Sequence, residues 1–164
     1  KRMRPESSRG VKDLFDAETM RKVVESSPFF HFLGMELLEV GEGSATLQLP
    51  VAPHHINTQG IVHGGVLSSL ADTAGAVALG TRMSPGQRPR TVQMDIHYLS
   101  AARGQTLTAV GSVAKSGGKL LVADIDIADE TGTAVATARI TCVLVGGFAD
   151  ERFTPREPPE KGKR

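Results

Sequence analysis

Asp72 is the residue on which chemistry is most readily built. It stands in an apolar run from His63 to about Arg82 whose other residues are mostly Gly, Ala, Val and Leu. A carboxylate buried there without a partner is costly, so it is either used or held. Used, it serves as a general base or a nucleophile. Held, it faces solvent at the end of a sheet or takes a hydrogen bond from a neighbouring Ser or Thr.

The stretch Asn57 to Gly65, NTQGIVHGG, leads straight into the start of that run. If the run is a helix, its first backbone N–H groups and the positive end of its dipole point outward. Gly64 and Gly65 have no side chains, so a carbonyl oxygen can approach those N–H groups as acyl transfer requires. The plainer reading is a glycine-rich helix start that needs close packing. His63 can cap the helix, orient the loop or act as a base. With His54 and His55 nearby a metal is worth testing, but adjacent histidines do not easily ligate one ion and no carboxylate stands at a zinc spacing. No metal site is expected. Ser68 and Ser69 lie within the run with no G-x-S-x-G turn, which argues against a serine nucleophile. Lys115-Ser116-Gly117-Gly118-Lys119 places two cations and exposed backbone donors at one tip. Such a tip suits phosphates, although most Lys-rich turns are simply solvated.

These residues need a scaffold, and the hydrophobic pattern supplies one. Asp16 to Ser27 reads as a short amphipathic helix with an Asp cap and Met20, Val23 and Val24 on one side. Pro28 ends it, and Phe29, Phe30 and Phe32 are expected to plug one edge of the core together. Met35 to Val40 and Ala45 to Val51 alternate around Gly41 and Gly43, the pattern of a hairpin. Val66, Leu67, Leu70, Ala74, Val77 and Ala78 recur at three and four, so the run holding Asp72 is a helix. Small residues on nearly every side predict that it is buried all round. Thr91 to Leu99, Thr106 to Lys115, Leu120 to Ala128 and Thr133 to Val145 read as a meander of four strands, with Gly117-Gly118 and residues 129–132 as turns between the last three. The expected fold is α+β, one antiparallel sheet curled around a central helix.

Composition narrows the function. The chain of 164 residues fits one domain, and 40% apolar with 23% charged residues is ordinary for a globular protein. Residues 1–12 and 150–164 each hold five Lys or Arg, while residues 13–149 hold nine basic and thirteen acidic side chains. A slightly acidic body argues against nucleic acid as a partner. Residues 1–12 and 148–164 are expected to be disordered tails around a domain at 13–147. Cys142 alone makes no internal disulfide. No run is long and apolar enough for a membrane span, and no signal segment follows the basic start, so a cytoplasmic location is expected.

The string N-x-x-G-x-V-H-G-G-V-x-x-x-L-A-D, formed by Asn57, Gly60, Val62 to Val66, Leu70, Ala71 and Asp72, closely resembles hotdog-fold thioesterases of the PaaI type. The resemblance extends from about Phe29 to Val145. It implies hydrolysis of acyl-CoA or aryl-CoA thioesters with no cofactor, coenzyme A being part of the substrate. It implies a homodimer or dimer of dimers with sites at the subunit interface. The Gly64 N–H would polarise the thioester carbonyl, Asn57 would position that carbonyl or the attacking water, and Asp72 would be base or nucleophile. Thr91 matches a position where a small hydroxyl residue orients the water or carboxylate, and His63 organises the loop. Gly65 and the tip from Lys115 to Lys119 would contact the rest of the substrate. Two rivals are a hotdog hydratase or dehydratase and a non-catalytic acyl-CoA-binding module. The first usually has a proline-rich loop, and no proline lies between Pro53 and Pro85. The second does not need Asn57, Gly64 and Asp72 together.

Overall fold

The computed structural model describes residues 17–84 and 87–145. The two expected tails and the Asp16 cap lie outside the described residues. Helix α1, Ala17–Glu25, is tied to the first strand by Arg21, which donates to the Leu37 carbonyl at 2.8 Å. A one-turn helix α2, Pro28–Phe32, follows, its N–H of Phe30 capped by the Ser27 side chain. Strands β1, Glu36–Gly41, and β2, Ser44–Pro50, form the expected hairpin. Then come a 3-10 turn, Pro53–His55, and the long helix α3, Gly64–Gly80. Strands β3, Arg88–Tyr98, β4, Thr106–Lys115, β5, Leu120–Asp129, and β6, Ala134–Val145, complete the chain order.

All strand pairs are antiparallel, and the six strands make one sheet in the order β1-β2-β4-β5-β6-β3. The four later strands are therefore not a sequential meander: β4, β5 and β6 are, but β3 lies at the far edge beside β6. Alternation reports a strand and its faces, not its neighbours. The segment 99–105 carries the chain from β3 to the opposite half of the sheet, fixed by bonds from the Val62 N–H to the Ala102 carbonyl and the Val51 N–H to the Gln105 carbonyl, 3.0 and 2.7 Å.

Helix α3 touches every strand, and the sheet curls around it. Leu67, Leu70, Ala74 and Ala78 are buried against inward residues such as Leu47, Leu107 and Ile125. The helix is not covered all round, however. A stripe through Ser69, Asp72, Thr73 and Ala76 stays partly exposed, with Gly65 open at its head. The Phe cluster also divides, because a single helical turn points its residues in different directions: Phe30 is 4% exposed and Phe32 70%.

Two glycines set how closely helix and sheet approach. A Cβ at Gly111 on β4 would stand 2.6 Å from the Ala74 carbonyl oxygen and 3.1 Å from the Gly75 nitrogen. A Cβ at Gly75 would first meet side chains, the Cδ1 atoms of Ile140 and Ile125 at 2.6 and 3.0 Å. Backbone cannot give way as a methyl tip can. Gly111→Ala is expected to destabilise the fold by roughly 3 kcal/mol and Gly75→Ala by less, read from urea unfolding midpoints. Equal losses would mean that the α3 to β4 contact does not set the spacing.

Candidate active site

The N-terminus of α3 is built by a histidine and two glycines. His63 is the N-cap, and its Nδ1 accepts the Gly65 N–H at 2.9 Å. A neutral ring then carries its proton on Nε2. Capping thus consumes the Gly65 donor. The Gly64 N–H, at the first helical position, has no acceptor within the helix. Tyr98 at the end of β3 lies against this glycine, so that a Cβ there would sit 3.2 Å from the Tyr98 Cζ. The Tyr98 hydroxyl donates to the Gly64 carbonyl at 3.2 Å and stands 2.8 Å from the Ser68 Oγ. Alternation counts Tyr98 only as a strand residue. Its role beside Gly64 has no local signal beyond its being the single tyrosine.

Asn57 shapes the loop that precedes the helix. Its Oδ1 accepts from the N–H groups of Gln59 and Ile61 at 2.8 and 3.3 Å, and its own N–H donates to the Ile61 carbonyl at 2.8 Å. Gly60 takes φ +74°, which a side chain would oppose. The amide NH2 of Asn57 is the part of the side chain left to meet a ligand. His55 anchors the loop from below. It is 1% exposed, its Nδ1 accepts the Ala52 N–H at 3.0 Å, and its carbonyl accepts the His63 N–H at 2.8 Å. Burial above all, and then the neighbouring His54, push its pKa down, against a pull upward from the Leu33 carbonyl. Through these two bonds His55 ties the loop to the residues on either side of it. Among the described residues no three His, Cys, Asp or Glu side chains gather to hold a metal.

Asp72 lies two turns along α3, partly buried, and its Oδ1 accepts the Thr91 hydroxyl at 2.8 Å. The hydroxyl partner considered for a held carboxylate is present. Thr91 reaches it because of a bulge. Thr91 pairs with Cys142 and Gln93 with Thr141, leaving Val92 without a ladder partner. The extra residue reverses the alternation. Thr91 faces α3, whereas Asp95 and His97, also odd-numbered, face outward. On that outer face Arg139 grips Asp124 at 2.6 and 2.9 Å and holds its carboxyl below the usual range. On the inner face the Thr91 Oγ1 is 3.6 Å from the Cys142 sulfur. Burial, with a smaller contribution from Asp72, pushes the Cys142 thiol up, so it stands beside the carboxylate as a neutral group.

The exposed tip from Lys115 to Lys119 belongs with Asp72 rather than with the helix N-terminus. Leu121, two residues past the tip, pairs with Cys142, which pairs with Thr91. Two strand spacings and two residues of rise put Lys119 roughly 12 Å from Thr91. Gly117 and Gly118 have φ of +107° and +69°, so the turn is as the glycines predict. The expected site residues thus form two groups in one chain: Asn57, His63, Gly64 and Gly65 at the helix start, and Asp72, Thr91 and the tip farther along.

Residues 59–136 match the family described as the thioesterase superfamily. The chain is 30% identical to the medium/long-chain acyl-CoA thioesterase YigI of Escherichia coli, over 71% of this chain and 85% of that one. It is 29% identical to acyl-coenzyme A thioesterase 13 of Pongo abelii, covering 76% of this chain and 90% of the relative. Among solved structures it resembles the Escherichia coli PaaI protein of the phenylacetic acid degradation operon, with TM-score 0.73 and 29% identity over 79% of this chain and 93% of that one.

Proposed function

Since the chain belongs to the thioesterase superfamily, as a thioester hydrolase of the PaaI-type hotdog group, we propose that it cleaves acyl-CoA with Asp72 as the catalytic carboxylate. The observation that carries this is the Thr91 hydroxyl on the Asp72 Oδ1. It fixes the carboxylate and leaves the other oxygen to take a proton from water or to attack the carbonyl itself. The Gly64 N–H and the Asn57 amide receive the developing oxyanion. The carbonyl carbon gains an oxygen, the C–S bond breaks, and coenzyme A leaves as a thiolate. A thiol is far more acidic than an alcohol, so its thiolate leaves without a strong acid beside it.

One chain does not complete this site. Gly64 and Asp72 are eight residues apart on α3, roughly 12 Å along its axis. The sheet offers a way to pair them. β3 is an edge strand of 11 residues, and such a length of unpaired edge is normally covered. Two β3 strands paired antiparallel about a two-fold axis would run the Arg88 end of one beside the Tyr98 end of the other. Tyr98 lies on Gly64 and Thr91 holds Asp72. The pairing therefore carries the helix start of one subunit toward the carboxylate of its partner, giving two equivalent sites per dimer. The single buried thiol, Cys142, suits a reducing cytoplasm.

The decisive experiment is a panel of fatty acyl-CoA and aryl-CoA thioesters with detection of free thiol. Release from none of them would end the proposal. The same assay checks the hairpin tip as a phosphate contact. Replacing Lys115 and Lys119 together by Ala should raise KM about five- to tenfold with kcat nearly unchanged, and added salt should narrow the difference. An unchanged KM would make the tip a solvated turn.

A further inference from the structure

An apolar crevice of about 140 Å³ opens between α1 and α3, beside the start of β3. Met20, Val23 and Val24 line it from α1, and Ala76, Val77 and Gly80 from α3. Thr73 also borders it, but its hydroxyl is engaged with the Ser69 carbonyl at 2.8 Å. The position of the crevice is informative. Thr73 directly follows Asp72, and Pro89 in the lining stands two residues before Thr91, which holds Asp72. Ala76 and Gly80 lie about 40° and 80° round the helix from Asp72, so the crevice follows the side of α3 next to the carboxylate. From Thr73 to Gly80 it extends roughly 10 Å along the axis. At Gly80 the way is blocked, since a Cβ there would collide with the Met20 thioether, whose sulfur would be 2.8 Å away.

We propose that this crevice receives the acyl group of the substrate as an unbranched aliphatic chain, and that Met20 over Gly80 sets the length accepted. The inference rests on the Asp72 site described under the proposed function and adds the substrate class. Valine and alanine methyls and a flexible thioether form these walls, which suits a narrow alkyl chain; ring recognition is favoured by aromatic partners. α1 also lies outside the family match at residues 59–136. It is therefore a place where this chain can set its own preference around a shared catalytic frame.

S-alkyl-CoA thioethers of increasing straight-chain length bind without being hydrolysed, and calorimetry on the full chain measures each. Affinity should rise about fourfold per methylene, the ratio that corresponds to ~0.8 kcal/mol for burying one CH2, and then level off. The levelling should come at a longer chain in Met20→Ala and Met20→Val, where the stop is cut back. It should come at a shorter chain in Gly80→Ala, where the new methyl pushes the Met20 tip into the crevice. Affinity that ignores chain length overturns the proposal. So does levelling at one length in all four proteins, or a phenylalkyl thioether binding more tightly than the straight chain of equal carbon number. Thiol release from the matching thioesters, measured in parallel, separates the two readings. Length-dependent binding without any hydrolysis leaves the crevice standing and removes the catalytic proposal, while hydrolysis with length-blind binding does the reverse.

Discussion

Asp72→Asn should lower kcat about 10²- to 10⁴-fold, the range expected when a positioned acid–base group is lost. The change is close to isosteric. The amide oxygen can still accept the Thr91 hydroxyl bond of 2.8 Å, and the side chain sits on a partly exposed stripe of α3 rather than in the core. Circular dichroism and the urea midpoint should therefore stay near wild type, with KM little altered. Turnover at the wild-type rate in a folded variant would remove Asp72 from the chemistry. The same residue also offers a choice between mechanisms. In a single turnover in ¹⁸O-labelled water, a general base places the label only in the released acid, whereas a nucleophile first forms an anhydride, and water that opens it at the Asp72 carbonyl leaves the label on Asp72. Label found on the Asp72 peptide by mass spectrometry therefore identifies the nucleophile.

Restoration of activity between two dead variants is the second large effect expected. Asn57→Ala and Asp72→Ala should each be nearly inactive as homodimers. Co-expressed with different tags, they form dimers in which one site carries both defects and the other neither. Random pairing makes about half of the dimers mixed, so about a quarter of wild-type site activity should return. Purification through both tags in turn should raise this to about half. Confirmed mixed dimers without activity would place Asn57 and Asp72 in one chain's pocket, and the antiparallel β3 pairing would lose its support.

What could be read in advance follows from how local each signal is. The helix through Asp72, the hairpin at Gly43 and the turn at Gly117-Gly118 are each written in a few consecutive residues, and the structure has all three. So is the arrival of NTQGIVHGG at a helix start. Contacts between distant segments are another matter. The hydrogen bond from Thr91 to Asp72 spans 19 positions and depends on a bulge that alternation does not display; Thr91 could be nominated only through the family resemblance. Tyr98 against Gly64 spans 34 positions and was not nominated at all. The place of β3 beside β6, and the division of the Phe residues into one buried and two exposed, fail for the same reason. Periodicity assigns a residue to a face, but which element meets that face is a property of the whole sheet. His55 illustrates a different gap. Its neighbour His54 directs attention to metals, while its burial and its bond from the Ala52 N–H make it a fixture of the loop.

The bulge at Val92 makes the conformation of one residue in β3 a functional quantity in its own right. Val92 is 57% exposed and has no partner in the ladder, so what occupies the position matters little while it stays bulged out. Drawn into the ladder with no residue lost, it would let the alternation run unbroken from Tyr98: Val92 would face α3 and Thr91 would turn outward. A hydroxyl bonded to the carboxylate would be exchanged for an isopropyl group that bonds nothing. Deleting Val92 would do no such thing, because Gln93 opposite Thr141 faces outward and the residue before it, then Thr91, would still stand opposite Cys142 and face α3. The strand thus carries one residue more than its register needs, and the bulge keeps that surplus from turning the hydroxyl away from Asp72.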